Sequence, residues 1–337
     1  MKIISKGKGI ETLSSLFKKH SHPMVKRLNS KRVLNIATLL FEIKLRKVKL
    51  RSYPMVARIN TCPVCNLRCP GCMGKGNPNS SKHTMTFEEY RDIIDKIHEN
   101  LVLVILYDEG EPLLNKDICK MIRYTNELNV STSISTNLSL ALDDTSIKDL
   151  VLSGLDRLRV AMDGMSQEVY EQYRVGGNLD LVQSNLRKII AIKKKYNRAL
   201  PVLEVQYLKF PHNAHQLEDA RRFARSIGVD EFNTFRAYPG DLWVENGCSE
   251  MDRIKLGCSG LWMTLCINNE GVVFPCDYGK DTGMSPVGSI FEADLAQLWN
   301  DSYMQDVRRS LHRKARYFRY GQCKKCPTSQ SLPWILR

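Results

Sequence analysis

From residue 55 onward, short and largely apolar runs alternate with amphipathic stretches. The runs Met55–Asn60, Leu101–Tyr107, Val130–Ser135, Arg157–Met162, Val202–Lys209 and Glu231–Arg236 have the length and composition of strands. Helical periodicity fills the intervals near Thr86–Glu99, Lys116–Leu128, Thr145–Leu152, Leu179–Lys195 and Ala214–Ser226. Thr86-Phe87-Glu88-Glu89 reads as a capping box opening the first of these. Six β units, each followed by a helix where the pattern is legible, predict an α/β fold built as a partial (β/α)6 TIM-like barrel. A functional site is expected at the C-terminal ends of its strands. The rhythm stops at Tyr238-Pro239-Gly240, which sets expected boundaries at 1–54, 55–237 and 238–337. In the last part, two apolar runs around Asn268-Asn269-Glu270-Gly271 predict a β-hairpin. A short helix with Leu295, Leu298 and Trp299 follows, so this part reads as a small α+β domain. Before residue 55, Ile10, Leu13, Leu16 and Phe17 share one helical face, and Val33, Ile36, Leu40 and Ile43 another, separated by a loop at Ser21-His22-Pro23. Such basic amphipathic helices either lie on anionic lipid or pack on the outside of the main domain. The apolar run Val33–Phe41 is too short to span a bilayer.

Charge separates the ends from the body. Residues 1–60 hold fifteen Lys or Arg against two acids, Glu11 and Glu42, and residues 308–337 hold nine and no acid. With +14 overall, the residues between carry a net −8. Nucleic acid would require a basic groove near the chemistry, and none can be placed. A membrane surface or an acidic partner fits the first arm better. Eleven Cys among 337 residues is a high content, and no apolar run follows the basic start closely enough for a secretory signal. Clustered Cys in that setting predict metal binding in the reducing cytoplasm.

The densest chemistry lies in Thr61-Cys62-Pro63-Val64-Cys65-Asn66-Leu67-Arg68-Cys69-Pro70-Gly71-Cys72. Cys65, Cys69 and Cys72 stand in a C-x3-C-x2-C spacing, which lets one short loop wrap three sulfurs around a metal centre. Three ligands leave one coordination position open, as in catalytic sites. The alternative is a four-Cys zinc knuckle from Cys62-x2-Cys65 and Cys69-x2-Cys72, in a non-catalytic zinc-binding interaction protein. Cys258, Cys276, Cys323 and Cys326 form a second set, able to close a cluster or a zinc site completely. Cys119 on a helix and Cys266 in the hairpin are expected to be core residues.

The Cys loop, with Cys65-Asn66-Leu67-Arg68-Cys69 especially close, resembles the signature of the radical S-adenosylmethionine (SAM) enzymes. The resemblance implies a [4Fe-4S] cluster on Cys65, Cys69 and Cys72, with one iron free to chelate SAM. One electron then breaks a C–S bond and releases a 5′-deoxyadenosyl radical. Asp108-Glu109-Gly110-Glu111-Pro112 looks like the family's Gly-Glu-Pro motif, so Gly110 and Glu111 are implied to hold the SAM ammonium group. Ser135 and Asn137 stand where relatives touch the SAM ribose or carboxylate, with a simple turn as the alternative. Ala161 replaces a Ser usual in relatives, and Asp163 after it either contacts SAM or shapes the turn. Tyr173-Arg174-Val175-Gly176-Gly177 looks like the segment whose Arg pairs bidentately with the SAM carboxylate.

The second Cys set resembles the SPASM domain in its shorter "twitch" form, through Gly271-x4-Cys276, Gly288-Ser289-Ile290 and Leu298-Trp299-Asn300. It implies a second, auxiliary [4Fe-4S] cluster. Together the resemblances cover residues 55–327. They imply a radical SAM oxidoreductase that abstracts hydrogen from a small polar or sugar-containing substrate, for oxidation or epimerisation. A peptide or protein substrate is the alternative. The electron donor would be of the flavodoxin or ferredoxin kind. Cys248, in the linker, is the candidate to return a hydrogen atom to a substrate radical, as loop thiols do in relatives that epimerise sugars.

Overall fold

The computed structural model describes residues 27–72, 82–236, 258–281 and 283–311. The expected helix at 10–20, the boundary at Tyr238-Pro239-Gly240, and Cys248, Cys323 and Cys326 lie outside them. Two compact units are present. One consists of Ile59–Asp92 and Val104–Gly247, and the other of Met1–Arg58, Ile93–Leu103 and Cys248–Arg337.

The strands of the βα region follow chain order. β1 is Val56–Ile59, β2 Leu103–Ile105 and, wholly in the first of these units, β3 Ser131–Thr136, β4 Arg157–Ala161, β5 Val202–Lys209 and β6 Glu231–Arg236. Their spatial order is β6-β5-β4-β3-β2-β1. β3–β4, β4–β5 and β5–β6 pair in parallel. Parallel neighbours need a crossover, and the helices Ile118–Glu127, Asp144–Leu152, Leu179–Lys195 and Leu217–Ile227 supply it. Sequential parallel strands with helical returns make the expected partial (β/α)6 barrel. The capping box at Thr86 is present, with Glu89 N–H donating to Thr86 Oγ1 at 3.2 Å and Thr86 N–H to Glu89 Oε2 at 2.8 Å.

Alternation along the strands divides the sheet into unlike faces. Ile134, Leu158 and Leu203 share one register level, and Val160 and Val205 another; all are fully buried. The opposite face presents Ser135, Arg159, Glu204 and Glu231 at one level. The apolar face packs under the helices, and the polar face lines the inside of the barrel.

The other unit contains the expected hairpin, β7 (Thr264–Ile267) and β8 (Val272–Phe274), paired antiparallel, and β9 (Gly288–Ser289) beside β8. The short helix Leu295–Trp299 is also present, closed by an Asp294/Gln297 capping box. Residues 46–55 run through this unit without regular structure, so their backbone groups need side-chain partners. Trp262 Nε1 donates to Lys47 O (2.7 Å) and Trp299 Nε1 to Ser52 O (3.0 Å). Asn300 binds both ends of Leu50, accepting from its N–H at 2.8 Å and donating to its carbonyl at 3.0 Å. Asn35 does the same for Tyr53. Glu42 accepts from the N–H groups of Arg51 (2.8 Å) and Ser52 (3.2 Å) and from Ser52 Oγ (2.6 Å).

This network corrects the expected face of the second amphipathic helix. That helix, Ser30–Leu45, starts at Asn29, whose side chain caps Arg32 N–H. Its buried residues are Arg32, Asn35, Ile36, Leu39 and Glu42. Val33 is exposed, and Leu40 and Ile43 are half-buried. Asn35 and Glu42 turn inward because residues 46–55 need their hydrogen bonds, and Arg32 does so to reach Arg27 O and His98 O. A second correction concerns Cys119, which is only half-buried; Cys266 is in the core as expected. Among the described residues no helix is long and apolar enough to cross a membrane.

Glu42→Ala should leave two buried Ser52 donors and the part-buried Arg51 N–H without their acceptor and cost about 2–4 kcal/mol. Urea unfolding monitored by tryptophan fluorescence checks this, since Trp262 and Trp299 report from the same segment. Glu42→Gln, which keeps an acceptor, should lose less.

Candidate active site

The site is assembled where the loops following β1, β2 and β3 meet. Gly110 makes this approach possible. It has φ +71°, and a Cβ there would stand 2.1 Å from Cys62 O and 2.7 Å from Val64 O. Only a residue without a side chain fits between the backbone and the Cys loop. The next residue fastens the contact: Glu111 N–H donates to Val64 O at 2.8 Å. The Glu111 carboxylate accepts from Asn137 N–H (2.8 Å) and from Leu113 N–H (3.1 Å). One residue thus joins all three loops.

The Cys loop is held from the other side by Arg68 N–H, which donates to Val175 O at 2.9 Å. Val175 belongs to the Arg-x-Gly-Gly segment, whose second glycine is also closely packed. A Cβ on Gly177 would lie 2.7 Å from the Tyr170 ring and 2.8 Å from Arg174 O. Arg174 Nε donates to Asp163 at 2.6 Å, and its Nη1 lies 3.9 Å from Cys69 Sγ. Asp163 also accepts from Leu208 N–H at 2.6 Å. Burial works against the Arg174 charge, but Asp163 and Cys69 more than offset it and keep the guanidinium protonated.

Of the sequence-predicted residues, Cys65, Cys69, Cys72, Gly110, Glu111, Ser135, Asn137, Asp163 and Arg174 all lie in this unit. Asn137 Nδ2 donates to Asn66 Oδ1 at 2.9 Å and lies 3.8 Å from Cys65 Sγ. Ser135 is on the polar face of β3, two residues before it. Cys258 and Cys276 belong to the other unit, both half-buried. There Cys276 Sγ accepts from Gly279 N–H at 3.2 Å, and the following residue, Asp277, pairs with Arg58 at 2.5 Å. The described Cys are free thiols.

Among the described residues no three His, Cys, Asp or Glu side chains converge to metal-ligand distances. The fold brings three thiols into one loop, and drawing sulfurs onto one centre is the step that binding energy supplies. The donor set itself suits an iron–sulfur centre: three thiols, an adjoining guanidinium, and a backbone cradle at Gly110. Burial pushes the Cys65 thiol up to about 11 and raises Cys69, so metal binding must displace protons there. The buried Tyr170 hydroxyl has no hydrogen-bond partner among the described residues, and it feels the charges of Arg174, Asp163 and Cys69. An orphaned hydroxyl at this place is consistent with a group that binds there.

Two features were missed by sequence reasoning. Asn66 links the Cys loop to the turn after β3, donating to Ser139 O at 2.8 Å while accepting from Asn137. Its position inside the signature was the available signal. The second is an ionic network on the barrel's polar face. Arg157 bridges Glu204 (3.0 Å) and Glu231 (2.8 Å), and Arg159 contacts Glu204 (3.3 Å) and Tyr107 Oη (2.9 Å). Charged residues at alternate positions of a strand, here Arg157 and Arg159, signalled a polar lumen.

Burial pushes the Glu111 carboxyl up to about 7, even though the Asn137 N–H, Thr136 and Leu113 N–H favour the charged form. A carboxyl raised in the folded state binds more protons there than in the unfolded chain. Its contribution to stability is therefore complete below the ordinary carboxylate value and lost as pH rises through about 7. Relative to Glu111→Gln, the cofactor-free wild type should lose up to roughly 3 kcal/mol between pH 4.5 and 7.5. Chemical denaturation of both proteins across that range tests it; parallel curves would show that the carboxyl is not perturbed.

Residues 59–224 match the profile of the Radical SAM superfamily, and residues 258–327 match SPASM, an iron–sulfur cluster-binding domain. The chain is similar to a protein named probable GTP 3′,8-cyclase from Methanocaldococcus jannaschii, 30% identical over 172 residues, which are 51% of this chain and 55% of that one. The chain thus spans about half the length of such relatives. Its fold is similar to that of Streptococcus suis SuiB bound to S-adenosylmethionine (TM-score 0.57, 18% identity, 96% of this chain and 84% of that one). It is also similar to that of BtrN in complex with AdoMet and 2-DOIA (TM-score 0.50, 16% identity, 77% and 87%). The two domains bring [4Fe-4S] clusters with them, and SAM is the cofactor bound in both structural neighbours. From the cradled Cys loop to the hairpin unit, the chain belongs to the radical SAM superfamily and carries a SPASM domain.

Proposed function

We propose that this enzyme oxidises a small, polar, hydroxyl-bearing substrate held inside the barrel. The observation that carries this reading is the composition of the lumen face. Ser135, Arg159 and Glu204 share one level across β3–β5, with Gln206 two residues further along β5 and Tyr107 bonded to Arg159. Ser135 is the strand neighbour of Arg159, two residues below Asn137, which reaches the Cys loop. At about 3.3 Å per strand residue, the polar layer lies within one small-molecule length of that loop. Its two Arg and two Glu balance, which favours a neutral polyol or amino sugar over a strongly anionic ligand.

The residues assigned to the first cluster are Cys65, Cys69 and Cys72, and those assigned to the auxiliary cluster are Cys258, Cys276, Cys323 and Cys326. Bound there, the first cluster with SAM supplies one-electron C–S cleavage and hydrogen abstraction. The chain's own residues do the positioning. Gly110 and Glu111 would border the SAM ammonium, a cation that would favour the charged form of the Glu111 carboxyl. Arg174, fixed by Asp163 through Nε and with Nη1 near Cys69, would turn its remaining nitrogen to the SAM carboxylate. Asn137 and Asn66 hold the rim rigid, and Arg159 and Tyr107 orient substrate hydroxyls. Removing a hydrogen atom from a carbinol carbon leaves a substrate radical. A flavodoxin- or ferredoxin-type protein would donate the electron for SAM cleavage, and loss of the hydroxyl proton and of one further electron, which the auxiliary cluster would accept when bound, completes a two-electron oxidation. The same thiol-rich chemistry suits a reducing compartment such as the cytoplasm.

A nucleotide cyclisation is the second reading, favoured by the 30% identity to a probable GTP 3′,8-cyclase. A peptide substrate is kept because the SuiB fold also occurs in a complex with precursor peptide SuiA.

The test is anaerobic. Protein reconstituted with iron and sulfide, then given dithionite, SAM and a C-deuterated amino sugar or cyclitol, should release deuterated 5′-deoxyadenosine. Arg159→Ala should raise KM for that substrate at least about tenfold and leave the slow, substrate-free release of 5′-deoxyadenosine unchanged. Deuterium transfer from GTP or from a peptide instead would replace the polyol reading. Return of hydrogen at the same carbon, lost in Cys248→Ala, would mean epimerisation. Zinc in place of iron would overturn the enzyme reading altogether.

A further inference from the structure

The helix Ser30–Leu45 is built inside out for a surface helix. Its inward side carries Arg32, Asn35 and Glu42 beside Ile36 and Leu39, all buried. Its solvent side carries Leu34 (70% exposed), Phe41 (58%) and Leu45 (49%). At 100° per residue these three positions fall within about 40° of one another, opposite the buried set. Ala37 and Thr38 fill the gap between them, and Val33, 50% exposed, widens the ridge. Half of the exposed large hydrophobic side chains among the described residues lie on this one helix. Packing against the described residues of the unit does not account for them, because their side chains are left exposed there.

Charge identifies what would cover the ridge. Lys31, Lys44, Lys47 and Lys49 are exposed around it, and Lys47 Nζ sits 5.9 Å from the centre of the Phe41 ring. Residues 27–54 hold eight Lys or Arg and one acid, Glu42, which is turned inward onto Arg51 and Ser52. Among the described residues Lys31 pairs with the exposed Glu99. A second copy docking through the same face would set these lysines against their equivalents. Residues 1–26 are no better matched, with six Lys and one acid. An apolar ridge bordered by lysines matches the boundary between anionic headgroups and acyl chains.

We propose that the chain docks on anionic membrane surfaces through Leu34, Phe41 and Leu45, with Lys44, Lys47 and Lys49 on the headgroups. The helix lies in the plane of the interface while Arg32, Asn35 and Glu42 keep it fastened to the protein. This is a peripheral attachment, independent of the substrate assignment above.

The test is flotation of the full chain with vesicles of phosphatidylcholine alone and of phosphatidylcholine with phosphatidylglycerol. Binding is expected to the anionic vesicles and to weaken with salt. Leu34→Ser/Phe41→Ser/Leu45→Ser and, separately, Lys44→Glu/Lys47→Glu should each reduce partitioning about tenfold or more. Both sets change exposed side chains, and an unchanged circular-dichroism melt shows that the fold is kept. Phe41→Trp should be quenched by brominated lipid in anionic vesicles. Equal partitioning of wild type and both variants, or no quenching, overturns the proposal. So does a wild-type dimer in light scattering that the ridge variant makes monomeric without any vesicle binding.

Discussion

The geometry of the site depends on a backbone contact that no side chain could survive. Gly110 lies so close to Cys62 and Val64 that a single methyl would collide with two carbonyl oxygens. That closeness lets Glu111 N–H reach Val64 O and lets its carboxylate take the Asn137 N–H. Three loops from three strands are thereby fixed to one residue, and the thiols inherit their position from it. The cost is a carboxyl buried to 1% exposure and pushed up to about 7. A cationic group beside it would favour the charged carboxylate and offset that cost.

Beneath the loops the barrel interior is polar. A lumen filled by Leu and Val would give a packed core, as barrels often have. Here Arg157, Arg159, Glu204 and Glu231 occupy it, matched in charge and bonded to one another and to Tyr107 and Asn233. Such a network is expensive to bury and adds little stability. Arg174 belongs to the same logic one layer higher, where its pairing with Asp163 aligns it toward Cys69.

The residues preceding the barrel are structural as well as basic. The stretch 46–55 has no regular partners and is held by Glu42, Asn35, Trp262, Trp299 and Asn300. Because the helix spends its polar residues inward, its apolar ones face out. One requirement, satisfying an irregular backbone, thus explains both the buried carboxylate and the exposed ridge.

Local periodicity determined much of this molecule. β5 and β6 coincide with the predicted runs to the residue, as does the helix Leu179–Lys195, because alternation and amphipathicity act over neighbouring positions. The capping box at Thr86 and the hairpin before Cys276 were legible for the same reason. So was the site's raw material, since three thiols within eight residues can serve one centre in almost any loop conformation. What the chain pattern could not reveal were choices among distant partners. The inward face of Ser30–Leu45 was misread because its apolar periodicity is real, yet Asn35 and Glu42 find acceptors and donors only after residues 46–55 come alongside. Asn66 and Arg159 look like ordinary polar residues until Asn137, 71 positions away, and Tyr107, 52 positions away, are placed against them. Sequence set the elements and the donor atoms; only tertiary packing decided which polar groups were buried and against what, because desolvation depends on neighbours that the chain brings together from afar.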